Sequence, residues 1–502
     1  MLKKFLGLFF LRGVKILLSV ATMLVLARIV GVSDGMDIWV LAFSYVTGAG
    51  MIIWGPLNEM LRSKYIRLNN NTTENTSREY FNGLIGASVI LNFLIIFIFS
   101  ILYFFKIDIL GSAVQTQYKA VLVFVIFVMS PTLILSQYTS ISTCLINCHD
   151  VLYAPELIGI IGGVLNILIV YLYYHQYGIY SLVAGYYASL FLSAAYGLIF
   201  YWRNNFFNQI KIFNFNMKHF QYFFKGVPIL MVAYFLGQFN SLYEKSVANN
   251  MGVGFVSLVN YASQIKGTLQ AVFASVIITL IVPTLSKINF REHSEIFYKN
   301  FSQGQSIVLL FLLMLIPAIT SSSSALTTLI FSEKIELDTK FTIFSNLLEF
   351  YTVCLFPIGL YLIFSFGLIS QGKEKIYAAI SIATQIVSIV ITYSFSSFIQ
   401  AAIFPASLFV SHTIAALSML YFIEINDKML IVRKFLIYGL ITLLISFFIL
   451  FVKHVLLMLY SWSPFVDVAI SMMLGLVFGF VMIIFDEEIK ASFLSRIFSK
   501  FI

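Results

Sequence analysis

Apolar residues run through this chain in blocks of roughly twenty to thirty, separated by short polar stretches, and the blocks are continuous rather than alternating with the period of two that a strand requires. A helix needs roughly 20 such residues to cross the hydrocarbon of a bilayer. On that length the blocks predict about fourteen spans, at 5–30, 36–60, 81–105, 119–143, 154–174, 179–202, 225–249, 253–285, 301–323, 341–370, 376–396, 399–423, 434–452 and 465–485. The predicted fold class is therefore an all-α polytopic membrane protein. Between the sixth and seventh spans, residues 205–225 interleave Phe206, Phe207, Ile210, Phe213 and Phe215 with Lys211, Lys218 and Lys225. That mixture predicts an amphipathic linker helix on the inner membrane surface.

Charge tests the span count. Of the 31 Lys and Arg, 21 fall in segments on one side of the predicted bundle, only five on the other and five within spans. Basic residues accumulate in cytoplasmic loops, so an even number of spans with both termini cytoplasmic follows. The same bias accounts for the net charge of +9, which in a chain with mean hydropathy +0.94 reflects membrane orientation and not nucleic acid. The amino terminus, Met1 to Lys4 before a long apolar run with no small-residue cleavage site, reads as a retained first span. Three cysteines make no disulfide framework, and Cys144, Cys148, His149 and Asp150 are too few and too close in sequence for a convincing metal site.

The chemistry sits where charges interrupt the greasy blocks. The first span carries Arg12, Lys15 and Arg28; Gly31 to Gly35 forms a turn, and Asp37 opens the second. An ionised side chain at mid-membrane costs on the order of 2.5 to 3.5 kcal/mol, so such residues usually face a bundle interior or a watery cavity. Each also has a plainer reading. Arg12 can snorkel to the surface, Arg28 can anchor at the far headgroups, and Asp37 can cap the second helix. Lys266, a turn or more inside the eighth span, is a further cavity candidate. Glu244 and Lys245 read as a local pair near an outer end, and Glu349 as interfacial. Pro131, Pro228, Pro317, Pro357 and Pro405 fall within spans and can kink or hinge them. The loops are too short for an extramembrane active site, and no phosphate-binding Gly-x-x-x-x-Gly-Lys-Ser/Thr, His-Glu-x-x-His or Gly-x-Ser-x-Gly motif is present. A transporter, not an enzyme, is expected.

The chain also repeats weakly. From Gly31 to Lys64 is 33 residues, and from Gly252 to Lys287, after Val282-Pro283, is 35. Two related helical halves leave such a trace, and transporters place substrate paths between their repeats.

The residues Leu26-Ala27-Arg28-Ile29-Val30-Gly31 leading to Asp37 and Ala42-Phe43, with Asn260-Tyr261-Ala262 and Ile278 to Lys287, resemble the lipid-linked oligosaccharide flippases of the multidrug/oligosaccharidyl-lipid/polysaccharide exporter superfamily. The closest branch is the MurJ (MviN) lipid II flippases. The resemblance covers essentially the whole chain. It implies two six-helix lobes around a central cavity plus two C-terminal helices: an N-lobe at 1–202, a linker at 203–224, a C-lobe at 225–424 and a final pair with tail at 425–502. It also implies a polyprenyl-diphosphate-linked glycan, lipid II-like or an O-antigen or capsule repeat unit, moved from inner to outer leaflet of a bacterial cytoplasmic membrane. A cation-coupled multidrug exporter is the alternative. Where the lipid II branch carries cavity arginines this sequence has Ile16, Thr22, Gly50 and Gln264, and nearby Arg12, Lys15 and Lys266 can replace part of that charge. The substrate-binding set expected is Arg12, Lys15, Arg28, Asp37, Gln264 and Lys266. No cofactor is expected, the coupling ion stays open, and the partners are membrane lipids and enzymes of glycan synthesis around a monomer.

Overall fold

The computed structural model describes residues 2–71, 74–105, 116–149, 151, 153–203, 217–224, 227–276, 294–331, 338–425, 428–459 and 463–485. Among them there are α-helices, one short 3₁₀ turn and no strand. Ten helical stretches of the described residues are long and apolar enough to cross a membrane, and one of these, Glu374–Phe422, holds two long helices; the number fourteen remains a sequence expectation. By contacts the chain forms two units, Met1–Leu258 and Val259–Ile502.

In the first unit α1 (Leu2–Ile29) and α2 (Asp34–Asn71) form the hairpin expected from the sequence. Its turn uses Gly31 at φ +69°, a left-handed conformation that costs glycine little. Ser33 then starts α2, its hydroxyl accepting the Met36 backbone N–H at 3.3 Å. The chain continues through α3 (Glu74–Phe104), α4 (Thr116–Met129), α5 (Thr132–Cys148), α6 (Tyr153–Tyr177), α7 (Ile179–Arg203), α8 (Met217–Phe224) and α9 (Val227–Asn250), and enters α10 (Phe255–Val276). α1 lies on α6, where Gly159 and Gly163 leave room for Lys15 and Leu18. Small residues four apart let helix backbones approach inside a bilayer, where the hydrophobic effect does not drive helices together. The α4–α5 break falls at Pro131, which lacks the N–H that a continuous helix needs. Near the break Tyr187 of α7 donates to the Val128 carbonyl at 2.6 Å, supplying a partner that lipid does not offer.

The second unit is built round α11 (Ser294–Ser321), whose Phe301, Leu309, Leu313 and Ile316 are buried among α14 (Leu355–Ser370), α16 (Ile403–Phe422) and α17 (Lys428–Leu459). The remaining elements are α12 (Ser323–Phe331), α13 (Asp338–Val353), α15 (Glu374–Ile399) and α18 (Pro464–Phe485). The expected C-terminal pair is present as α17 and α18, and α11 holds both. Lys434 donates to Ser306, and Lys453 donates to the Ser321 carbonyl while pairing with Asp467 at 2.8 Å. Gly475 and Gly479 of α18 accept Met314 of α11 against bare backbone. The prolines sort by position: Pro228, Pro357 and Pro405 stand in the first turns of α9, α14 and α16, where a missing N–H costs nothing. Pro317 is inside α11.

The linker expected at 203–224 is described only at α8, since 204–216 lie outside the described residues. There Lys64 of α2 donates to the Phe223 carbonyl at 2.6 Å, a cation at the C-terminal end of a helix dipole. His219 lies over Tyr80 of α3, centroids 4.1 Å apart. Burial holds the His219 pKa below its ordinary value, with Glu79 pulling weakly the other way. The docked imidazole is the neutral form, so α8 docking is fully supported above the unfolded-state pKa of about 6.5 and weakens as pH falls below it. We expect α8 amides, corrected for intrinsic exchange, to exchange faster at pH 5 than at pH 7, and His219→Gln to remove that difference. Packing gives a second expectation. A Cβ at Gly475 would lie 2.5 Å from the Met314 carbonyl, whereas Gly237 inside α9 meets nothing within 4 Å. Gly475→Ala should therefore cost about 1 to 3 kcal/mol, and Gly237→Ala should be neutral or stabilising by about 0.5 to 1 kcal/mol, both read by thermal denaturation in detergent.

Candidate functional site

In the first unit the polar groups gather on the seam between α2 and α9. Glycines on α2 admit bulky residues of α9: Gly55 faces the Tyr234 ring, and Gly48 faces Gln238. Tyr234, Gln238 and Lys245 are four and seven residues apart, which keeps them on one helical face. At the third of these positions Lys245 donates to the Ser44 hydroxyl, which itself donates back to the Val40 carbonyl at 2.6 Å. Lys245 is thus a cation held between two helices and not simply a local pair with its neighbour Glu244. The sequence signal was available in that spacing, but proximity to Glu244 obscured it.

Beyond Lys245 the chain turns at Gly252 (φ +128°) and Gly254 (φ +87°), and α10 begins against Asp37. The Gly254 N–H donates to Asp37 Oδ2 at 2.6 Å and the Ser257 N–H to Oδ1 at 2.7 Å. The first N–H groups of a helix have no partner within it, and a carboxylate satisfies them in the favourable sense of the helix dipole. Asp37 is 5% exposed, and both its oxygens serve this cap. The sequence offered a capping role for Asp37 on its own helix; Ser33 does that work, and Asp37 caps the start of α10. The repeated hairpins share their positive-φ turn glycines, Gly31 and Gly252. The closing Lys287 of the second lies outside the described residues.

The other expected residues are dispersed. Lys15 pairs with Glu156 of α6 at 3.1 Å. Arg28 is exposed and lies thirteen residues from Lys15 on the same helix, roughly 20 Å along its axis. The Arg12 side chain is outside what is described. Thr22, at an expected arginine position, donates to the Leu18 carbonyl at 2.8 Å and lines a cavity of about 20 Å³ with Asn166 and Trp39. That is room for one water, not for a sugar headgroup. In the second unit Gln264 is exposed while Lys266, two residues on, is half-buried; residues so spaced do not share a face.

Lys266 has the richer surroundings. Its ammonium stands 5.5 Å from the centre of the Tyr351 ring, an attraction of about 0.5 to 2 kcal/mol. Nearby, the α11–α12 break at Ser322 is flanked by Ser323, which donates to Glu349 of α13 and accepts from Ser345 at 3.0 Å. Glu349, read from sequence as interfacial, therefore meets the first residue of α12. Among the described residues no group of His, Cys, Asp and Glu could hold a metal ion.

A family model described as lipid II flippase MurJ matches residues 26–483. No curated protein sequence matches the chain significantly. Among solved structures, a lipid II flippase MurJ in an inward closed conformation is similar at TM-score 0.75 and 18% identity, over 96% of this chain and 99% of that one. An inward-facing multidrug resistance MATE transporter of the MOP superfamily follows at TM-score 0.68 and 11% identity, over 83% and 94%. The MATE transporter VcmN of Vibrio cholerae, in its bent form, gives 0.53 and 14%, over 86% and 98%. At these identities the structural likeness concerns the fold.

The Asp37 cap yields an expectation of its own. Asp37→Ala leaves two buried N–H groups without their charged acceptor, at about 2 to 4 kcal/mol, read as a lowered melting temperature and faster exchange at Gly254 and Ser257. An unchanged melting temperature would show that the cap is not supporting this fold.

Proposed function

The chain belongs to the lipid II flippase MurJ family, and from that membership and the geometry above we propose that it carries a polyprenyl-diphosphate-linked glycan from the inner to the outer leaflet of a bacterial cytoplasmic membrane by alternating access. Lipid II, the substrate in the family's description, is the first candidate for the glycan. The observation that carries the reading is Lys266, a half-buried cation on α10 that stands over an aromatic ring. A diphosphate cannot enter hydrocarbon without partners, and a desolvated ammonium is a strong one. Lys245 adds a second such cation in the first unit. Arg12, Lys15 and Arg28 supply further positive charge along α1, with Lys15 shared with Glu156, while Asp37 acts as a positioning residue. Both termini are cytoplasmic on the charge asymmetry, the N-lobe ends near residue 202, the C-lobe spans 225–424, and the working unit is a monomer fed by enzymes of glycan synthesis.

The likeness to multidrug transporters raises the exporter as a second reading. Half-buried lysines do not attract cationic drugs, so the glycan flippase is preferred. We expect Lys266→Ala and Lys245→Ala each to lower flipping of a fluorescent lipid II in proteoliposomes by about tenfold or more, one lost charge-assisted contact being about 1.5 to 3 kcal/mol, with melting temperatures near wild type. Unaltered flipping in both variants would reject these lysines as headgroup contacts, and wild-type protein that moves no lipid-linked glycan would reject the function.

A further inference from the structure

Lys15 and Glu156 form an ion pair of unequal halves. The Lys15 side chain is 55% exposed and that of Glu156 20%, with Nζ and Oε2 3.1 Å apart. Neighbouring contacts fix where along the two helices the pair stands. Lys15 crosses α6 at Gly159, where an added Cβ would lie 3.6 Å from Nζ, and Leu18 crosses it at Gly163. The residue numbers rise together, so α1 and α6 run parallel and enter the bilayer from the same side. Gly159 is six residues past the start of α6 at Tyr153, roughly 9 Å along it. From there the lysine reaches back, as a helical side chain leaning towards its own N-terminus does, and its ammonium ends at Glu156 in the first turn of α6. With the amino terminus cytoplasmic, as proposed above, that level is the inner membrane surface. The pair thus stands where a headgroup leaves the inner leaflet.

Such a pair is weakly held. Charges this open to water are screened and gain little from one another. A carboxylate in the first turn of a helix is also favoured by the dipole there, so Glu156 keeps support after its lysine is taken. Gly159 adds no side chain beside the ammonium, which leaves Lys15 room to turn towards another anion without either helix moving.

We infer that Glu156 is an exchangeable counter-ion that reserves Lys15 for a multiply charged headgroup. A monoanionic phospholipid that displaced Glu156 would trade one unit charge for another and meet the repulsion of the released carboxylate, an exchange without gain. A diphosphate brings further negative charge to the same ammonium, and the exchange then runs in its favour. Selectivity comes from a competitor built into the site, which counts against the wrong partner. No covalent bond changes. This role rests on the flippase reading, in which Lys15 adds positive charge for the headgroup, and it makes Glu156 a specificity-determining residue that keeps the surrounding lipids off that lysine.

The test uses the full chain in detergent at neutral pH, titrated calorimetrically with farnesyl diphosphate in the absence and presence of short-chain phosphatidylglycerol. Wild type should bind the diphosphate with an affinity that phosphatidylglycerol barely alters. Glu156→Gln should bind it several-fold more tightly alone, and lose several-fold when phosphatidylglycerol is added. In a Lys15→Gln background, Glu156→Gln should change neither quantity, because its effect passes through the lysine. Melting temperatures guard against misfolding, and Glu156→Asn is a second neutral variant that must agree. If Glu156→Gln and Glu156→Asn keep the wild-type affinity and indifference to phosphatidylglycerol while lipid II still flips, the counter-ion role is wrong and the flippase stands. The same holds if phosphatidylglycerol displaces the diphosphate from wild type. If wild type neither binds the probe nor flips lipid II, both fall.

Discussion

A helix that begins inside a protein must find acceptors for its first N–H groups, and in this chain a carboxylate on another helix meets that demand for α10. Asp37 takes the Gly254 and Ser257 N–H groups on its two oxygens. It is available because Ser33 has already capped α2, and because positive-φ glycines at 252 and 254 turn the chain tightly enough to bring the start of α10 to it. The register of α9 along α2 follows from the same constraint. Once Gly254 is fixed at Asp37, Lys245 falls at Ser44, Gln238 at Gly48 and Tyr234 at Gly55.

Much of the fold could be read directly from sequence, since membrane helices are long and the bilayer demands continuous apolar runs. The first hairpin, the second hairpin's turn and the C-terminal pair all stand where hydropathy and Gly31, Gly252 and the basic loops put them. The helix breaks were harder. Pro131 marks one and Pro357 follows the one at Cys354, but the interruption at Ser322 carries no proline, and its partner, Glu349, comes from another helix.

The site was less legible than the fold for a related reason. Spacing tells which side chains share a face but not which helix that face meets. Lys15 looked like a cavity residue until α6 supplied Glu156. Lys245 looked like a neighbour's ion-pair partner until α2 supplied Ser44. Asp37 was correctly suspected of capping, yet the helix it caps lies 217 residues away from it along the chain. Lys266 was chosen on depth alone, and the aromatic ring beneath it comes from α13.

The bare backbone of Gly475 and Gly479, into which Met314 projects, bears on how the surrounding lipids see the second unit. With lysines fastening α17 to α11 at Ser306, midway along that helix, and at its last residue Ser321 as well, α17 and α18 are coupled to any shift of α11. The outline this part of the molecule presents to the annular lipids is therefore preserved through such a movement. The neighbouring acyl chains are displaced as by a single slab, and need not refill a gap opening and closing beside it.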